Sequence, residues 1–96
     1  MTSYTVVTTA NADLDIQQAI DWEDERSEGL GRHFFDKLEN RLKDISSLPA
    51  MGTIRYDNVR CVKVKTFQYL VHYIVDDKHQ KLIVLRVLHT SRKPAR

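Results

Sequence analysis

The reading of one stretch decides the fold: "YLVHYIVDDKHQKLIVLRVLH", residues 69–89. Two nearly continuous apolar runs, Tyr69–Val75 and Leu82–Leu88, flank the polar segment Asp76–Gln80. Each run is rich in Val, Ile, Leu and Tyr and is too short for an ordinary helix, so the runs read as strands joined by a hairpin loop. Both are apolar at odd and even positions. A strand of that kind cannot lie at an edge with one face in water. One sheet face must pack on the rest of the chain, and the other still carries apolar side chains that call for a cover.

Working back from this hairpin, Val62 and Val64 alternate with Cys61, Lys63 and Lys65, the spacing of a further strand. "TFQ", residues 66–68, is the tight connection to it. "PAMGTIRYDN", residues 49–58, reads as a loop because turn-forming residues crowd it. Before Pro49 the period changes. Leu30, Phe34, Leu38, Leu42 and Ile45 step by four or three, which predicts a helix that Pro49 stops. "SEGLG", residues 27–31, separates it from an earlier helix over about 10–26, carried by Ala12, Ile16, Ala19, Ile20 and Glu23. Thr9 is the expected N-cap of that helix, and Asp13 lies near its positive end. Residues 3–8 read as a short strand.

The order is therefore β–α–α–β–β–β, an α+β fold in a single domain over residues 1–96. The expected architecture is an N-terminal strand, a helical hairpin and a three-stranded antiparallel meander, forming one sheet packed on the helices. Expected core residues are Ile16, Ile20, Trp22, Phe34, Leu38, Leu42 and Ile45 from the helices. Val62, Val64, Ile83, Leu85 and Val87 are expected to join them from the sheet.

Composition narrows the function classes. The 96 residues are 42% hydrophobic and 29% charged, as in ordinary globular proteins. One cysteine, Cys61, leaves no intramolecular disulfide, and inside a strand it reads as a small apolar residue. No leader segment and no apolar run of membrane-spanning length is visible, so the expected compartment is the cytoplasm. The net charge of +2 conceals a division. Residues 1–48 hold ten acids and five bases, whereas residues 49–96 hold ten bases and three acids. A basic half suits an acidic protein or a nucleic acid, though it also serves plain solubility. His33, His72, His79 and His89 lack metal-ligand spacing, and no cofactor is expected. Gly29 and Gly31 precede a helix but come without a Walker lysine, so they read as a turn. "DWEDE", residues 21–25, reads as a solvated acidic helix end rather than a metal site.

Taken in order, these segments resemble one family. "ADLDIQQAIDWEDERSEGLGRHFFDKLENRLKDISSLP" is similar to the helical hairpin of ParE-type toxins in the RelE/ParE superfamily, with its Gly-Leu-Gly turn. "VRCVKVKTFQYLVHYIVDD" resembles their Arg-bearing strand, Phe-x-Tyr turn and aromatic strand. "VLRVLHTSRKP" resembles their closing strand and His-x-x-Arg-x-Pro ending. The resemblance covers roughly residues 4–94. It implies the toxin of a bacterial toxin–antitoxin pair, with a cognate antitoxin as partner. ParE-like members are known for inhibiting DNA gyrase by binding, whereas RelE-like members cleave mRNA on the ribosome.

Cleavage would need a general base, a proton donor and cations around a phosphate. By the resemblance, Arg60 matches the superfamily's strand arginine. Lys63 and Lys65 share its ribbon, and His89 and Arg92 close the last strand, whose end is expected to lie beside Arg60. The expected target- or phosphate-binding set is therefore Arg60, Lys63, Lys65, His89 and Arg92. Arg60, His89 and Arg92 are the catalytic candidates if the protein is a nuclease. Read without the resemblance, His89 is a strand-end histidine and Arg92 and Lys93 are a basic tail. The chain departs from many nuclease members by lacking a tyrosine after His89; Tyr4, Tyr56, Tyr69 and Tyr73 all come earlier. This favours gyrase over ribosome and mRNA as the target. The uncovered apolar sheet face is the expected antitoxin surface. Without that cover it predicts self-association into a homo-oligomer.

Overall fold

The computed structural model describes residues 3–91. The chain runs β1 (Thr5–Thr8), α1 (Ala10–Arg26), α2 (Leu30–Ser47), a 3₁₀ turn (Pro49–Met51), β2 (Thr53–Tyr56), β3 (Val59–Lys63), β4 (Tyr69–Asp76) and β5 (Lys81–His89). One sheet contains all five strands in the order β1-β5-β4-β3-β2. The α+β class and the helical hairpin agree with the sequence reading. The three-stranded meander does not: the sheet has five strands and is mixed, because β1 lies parallel to β5. The extra strand is β2, inside the segment read as a loop. Pro49, Gly52 and the Asp57-Asn58 pair are genuine turn signals, but they bracket four residues of strand. Asp57, with φ of 49°, makes the left-handed step of a two-residue hairpin turn into β3.

The helices begin and end as their residues dictate. The side chain of Thr9 accepts the Ala12 N–H at 3.1 Å and caps α1. Gly29, at φ of 90°, turns the chain into α2. Two residues on, α1 and α2 come close enough that a Cβ on Gly31 would stand 2.6 Å from the Ile20 carbonyl oxygen.

The core fills the space between the hairpin and one sheet face. Phe34, Leu38 and Ile45 of α2 meet Val71 and Tyr73 of β4 and Leu82, Val84 and Val87 of β5. Burying each large side chain contributes about 2 kcal/mol relative to exposure. The phase of β5 corrects the expected core. Ile83 and Leu85 are only partly buried, while Leu82 and Val84 are fully buried. The cause is a bulge: Tyr73 pairs with Val84 but His72 pairs with Arg86, leaving Leu85 extra. The alternation therefore switches partway along the strand, which returns Val87 to the core. Trp22, expected inside, is 42% exposed.

Candidate functional site

Three strand ends meet at one end of the sheet. Lys63 closes β3 and pairs with Leu70, and Tyr69 opens β4 and pairs with His89, the last residue of β5. The connection between β3 and β4 and the turn between the helices enclose a hollow of about 300 Å³ beside them. Glu23, Arg26, His33, Phe67 and His89 are among its walls. Phe34 and Tyr69 hold its inner side, with ring centroids 4.8 Å apart.

Glu23 is 2% exposed. Arg26 contacts its Oε1 at 2.6 Å, and the Tyr69 hydroxyl donates to its Oε2 at 3.4 Å. The pair compensates a carboxylate that would otherwise be costly to bury. The Tyr69 ring meets His89 edge-on at 5.1 Å. His89 Nδ1 accepts the Ser91 N–H at 3.1 Å. An imidazole that accepts there carries its ring proton on Nε2 when neutral, which makes Nε2 a donor.

The candidates named from sequence do not converge here. Lys63 shares the outer sheet face with its partner Leu70, whereas His89 lies with Tyr69 on the helix side. Lys65 stands by α2, bordering a small hollow with Lys37, Arg41 and Asp44. Arg60 pairs with Tyr73, four residues along β4 from Tyr69, or about 13 Å at the strand rise. Its guanidinium donates to the Gly52 carbonyl at 2.7 Å and the Ala50 carbonyl at 3.4 Å. Arg60 thus ties the 3₁₀ turn to the sheet, and the expectation that it stands beside His89 is corrected. Arg92 lies outside the described residues.

Sequence reading does not mark Glu23 and His33 as wall residues, nor Tyr69 as the support behind them. Glu23 had a signal: it is an acid in the buried stripe of α1, where an unpaired carboxylate could not remain. Asp15, 7% exposed on the same helix, shows the same logic. It accepts the Val87 N–H at 3.0 Å and the Arg86 guanidinium at 2.7 Å.

On the outer face, His72 Nδ1 lies 3.1 Å from the Tyr56 hydroxyl and 3.4 Å from the Cys61 sulfur. Burial lowers the His72 pKa, and Arg86 and Arg55 lower it further against an opposing pull from Asp15. Burial also raises the Cys61 pKa, so its thiol stays protonated. Among the described residues, no three His, Cys, Asp or Glu side chains come together as a metal site. No helix among them is long and apolar enough to cross a membrane.

Solved structures share this architecture. A chain from the chromosomal ParDE toxin–antitoxin system of P. aeruginosa superposes with a TM-score of 0.78 at 13% identity, covering 93% of this chain and 98% of that one. A chain of the E. coli RelBE toxin–antitoxin complex gives 0.72 at 17% identity, covering 94% and 100%. One from the RelBE2 complex of Mycobacterium tuberculosis gives 0.67 at 23%, covering 91% and 98%. At these identities the likeness is one of fold. No match was found among curated proteins. The family described as "ParE toxin of type II toxin-antitoxin system, parDE" matches residues 6–94. A match over nearly the whole chain decides the family: this protein belongs to the ParE toxins of type II toxin–antitoxin systems.

Proposed function

We propose that this toxin is held inactive by a cognate antitoxin, a small acidic protein encoded beside it, and that it acts in the cytoplasm by binding DNA gyrase. The observation that carries the reading is the separation of the groups a nuclease would need together. Arg60 is committed to two backbone carbonyls. Lys63 faces away from His89. The Nδ1 lone pair of His89 is occupied by Ser91. Abstraction of a ribose 2′ proton at Nδ1 would require His89 to release that bond, and abstraction at Nε2 would require a change of tautomer as well. Cations spread over two faces of one sheet end suit contact with a broad acidic surface better than a single phosphate. In this reading Lys63, Lys65, His89 and Arg92 contact the target, and Arg60 shapes the surface from behind.

Inducing the toxin and examining DNA and mRNA in the same cells tests the proposal. Gyrase binding gives DNA breaks and filamentation with intact transcripts. His89→Gln should keep most of the toxicity, and charge reversal at Arg92 should weaken it. Suppose instead that transcripts are cut, and that His89→Gln abolishes both cutting and toxicity while still folding and binding antitoxin. The protein would then be a ribosome-dependent mRNA endoribonuclease.

A further inference from the structure

The cations of the sheet end are spread apart, but beside α2 a second group converges. Lys37, Asn40, Arg41 and Asp44 follow helical spacing along α2 and share one face of it. The turn after β3 brings Lys65 against that face, and the five residues enclose a notch of about 160 Å³. Arg41 fixes the arrangement. Its Nε donates to the Lys63 carbonyl at 2.9 Å, and its Nη1 reaches Asp44 at 3.3 Å. The turn that carries Lys65 is anchored at both ends, since Val64 and Phe67 are buried. Between them Thr66 stands at φ of 68°, a left-handed conformation that β-branched residues rarely adopt. Strain of this kind persists only where the surroundings hold it, and it is commonest at functional sites. Among the described residues, the Lys37 and Lys65 ammonium groups and Arg41 Nη2 make no hydrogen bond or ion pair. Three cations and the Asn40 amide thus line one small space against the single carboxylate of Asp44. The donors stand on two walls, the helix and the turn. Tetrahedral phosphate oxygens accept from several directions, whereas a carboxylate accepts near its own plane.

We propose that this notch between α2 and the β3–β4 turn takes one backbone phosphate of duplex DNA, held by Lys37, Lys65 and Arg41. The choice of DNA rests on the reading above, because gyrase holds duplex DNA while it works. The toxin then touches the nucleic acid as well as the enzyme. A backbone contact carries no sequence information, so it fixes the toxin's orientation on the duplex whatever the bases.

The test uses the full chain and a short labelled duplex of arbitrary sequence, with fluorescence anisotropy read over a range of salt. Lys37→Gln and Lys65→Gln should each weaken binding at least threefold and lower the salt slope by about one, with the unfolding midpoint unchanged. Lys65→Arg should keep most of the affinity. Lys43→Gln, on α2 but outside the notch, should bind as the native chain does. In a supercoiling assay, the two Gln variants should need more toxin to inhibit gyrase. Duplex binding indifferent to both variants, with gyrase inhibited as usual, would overturn the notch and leave the gyrase reading standing. No inhibition of gyrase, with duplex binding that depends on both lysines, would remove the gyrase reading and uphold the notch. Displacement of the duplex by inorganic phosphate far below the matching chloride concentration would make a free anion the ligand and overturn the proposal. Single-stranded RNA bound more tightly through the same lysines would overturn it in favour of RNA. Loss of binding to DNA-free gyrase in both variants, without any change in duplex binding, would make an acidic protein surface the occupant and overturn it too.

Discussion

The two sides of this sheet meet solvent in opposite ways. On the β5 side, β1 pairs only with Lys81–Val84, leaving the outer edge of Leu85–His89 to α1. The helix seals it. The Thr9 N–H reaches the Val84 carbonyl, its hydroxyl reaches the Leu85 carbonyl, and Asp15 takes the Val87 N–H. β1 is itself fastened to the end of α2, with the Tyr4 N–H bonded to the Ser46 carbonyl. On the other side, no element among the described residues covers β2 in this way, and its apolar side chains stand exposed. Buried polar groups hold the first edge closed because each must find a partner. At the second edge water satisfies the backbone, so nothing in the fold itself requires a cover. Stability is therefore concentrated at the sealed edge.

The sharpest way to break this contrast is Asp15→Ala. It orphans the buried Val87 N–H and leaves Arg86 without its carboxylate. The expected loss is about 3 kcal/mol, read from urea unfolding. Ile54→Ser at the open edge should stay within about 0.5 kcal/mol in the same measurement. Equal losses would show that the two edges do not differ in the way described.

Gly31→Ala attacks the hairpin that carries the seal. The new Cβ would meet the Ile20 carbonyl oxygen at 2.6 Å and the Asp24 carboxyl carbon at 2.8 Å. Ile20 contributes backbone, which cannot swing aside, so the helices must part. A cost of about 2 kcal/mol is expected. A neutral result would mean the helices have slack at their closest approach.

Tyr73→Phe probes the support beneath β2. The hydroxyl donates to the Pro49 carbonyl at 2.7 Å and accepts the Gly52 N–H at 2.9 Å. Removing it should cost about 1.5 kcal/mol. Amide exchange should quicken in residues 49–56 first, because the 3₁₀ turn and β2 hang from that bond. Uniform quickening through α1 as well would place the hydroxyl in the global core rather than in the local support.

The helical hairpin was legible because it is written in local chemistry. A capping Thr9, a turn at Gly29 and four-residue apolar steps each act within one turn of the chain. The bulge at Leu85 was not, since it depends on a long-range pairing between β4 and β5. Sequence alternation could not reveal where the phase switches, so Ile83 and Leu85 were placed inside. β2 was hidden for another reason. Its four residues bury almost nothing, so they carry no periodic signal, and the turn residues around them dominate. At the candidate site, strand order sets Lys63 and His89 at one sheet end. It could not tell their faces apart, nor show that Arg60 is spent on carbonyls. Trp22 shows the limit of a helical stripe, since a residue beside the buried Glu23 can still face solvent.

The smallest expected effect concerns pH and joins the two sides, because His72 is held between groups of both. Tyr56 of β2 bonds its ring, and Arg86 of the sealed side stands near it with Arg55 of the open side. Burial and the two guanidinium groups lower its pKa in the folded chain, despite the opposing influence of Asp15. The unfolded chain retains the ordinary value of about 6.5. Between the two values the unfolded state binds a proton that the folded state refuses, so stability falls as pH falls. The contribution is complete above about 6.5 and is lost as pH drops toward the folded value. Thermal unfolding from pH 7.5 to 5.5 should therefore lower the midpoint of the native chain more than that of His72→Gln. The Gln variant keeps a hydrogen-bonding side chain for Tyr56 but cannot titrate. If both midpoints fall in parallel, the acid sensitivity belongs to carboxylates elsewhere, and His72 does not couple the open edge to the sealed one.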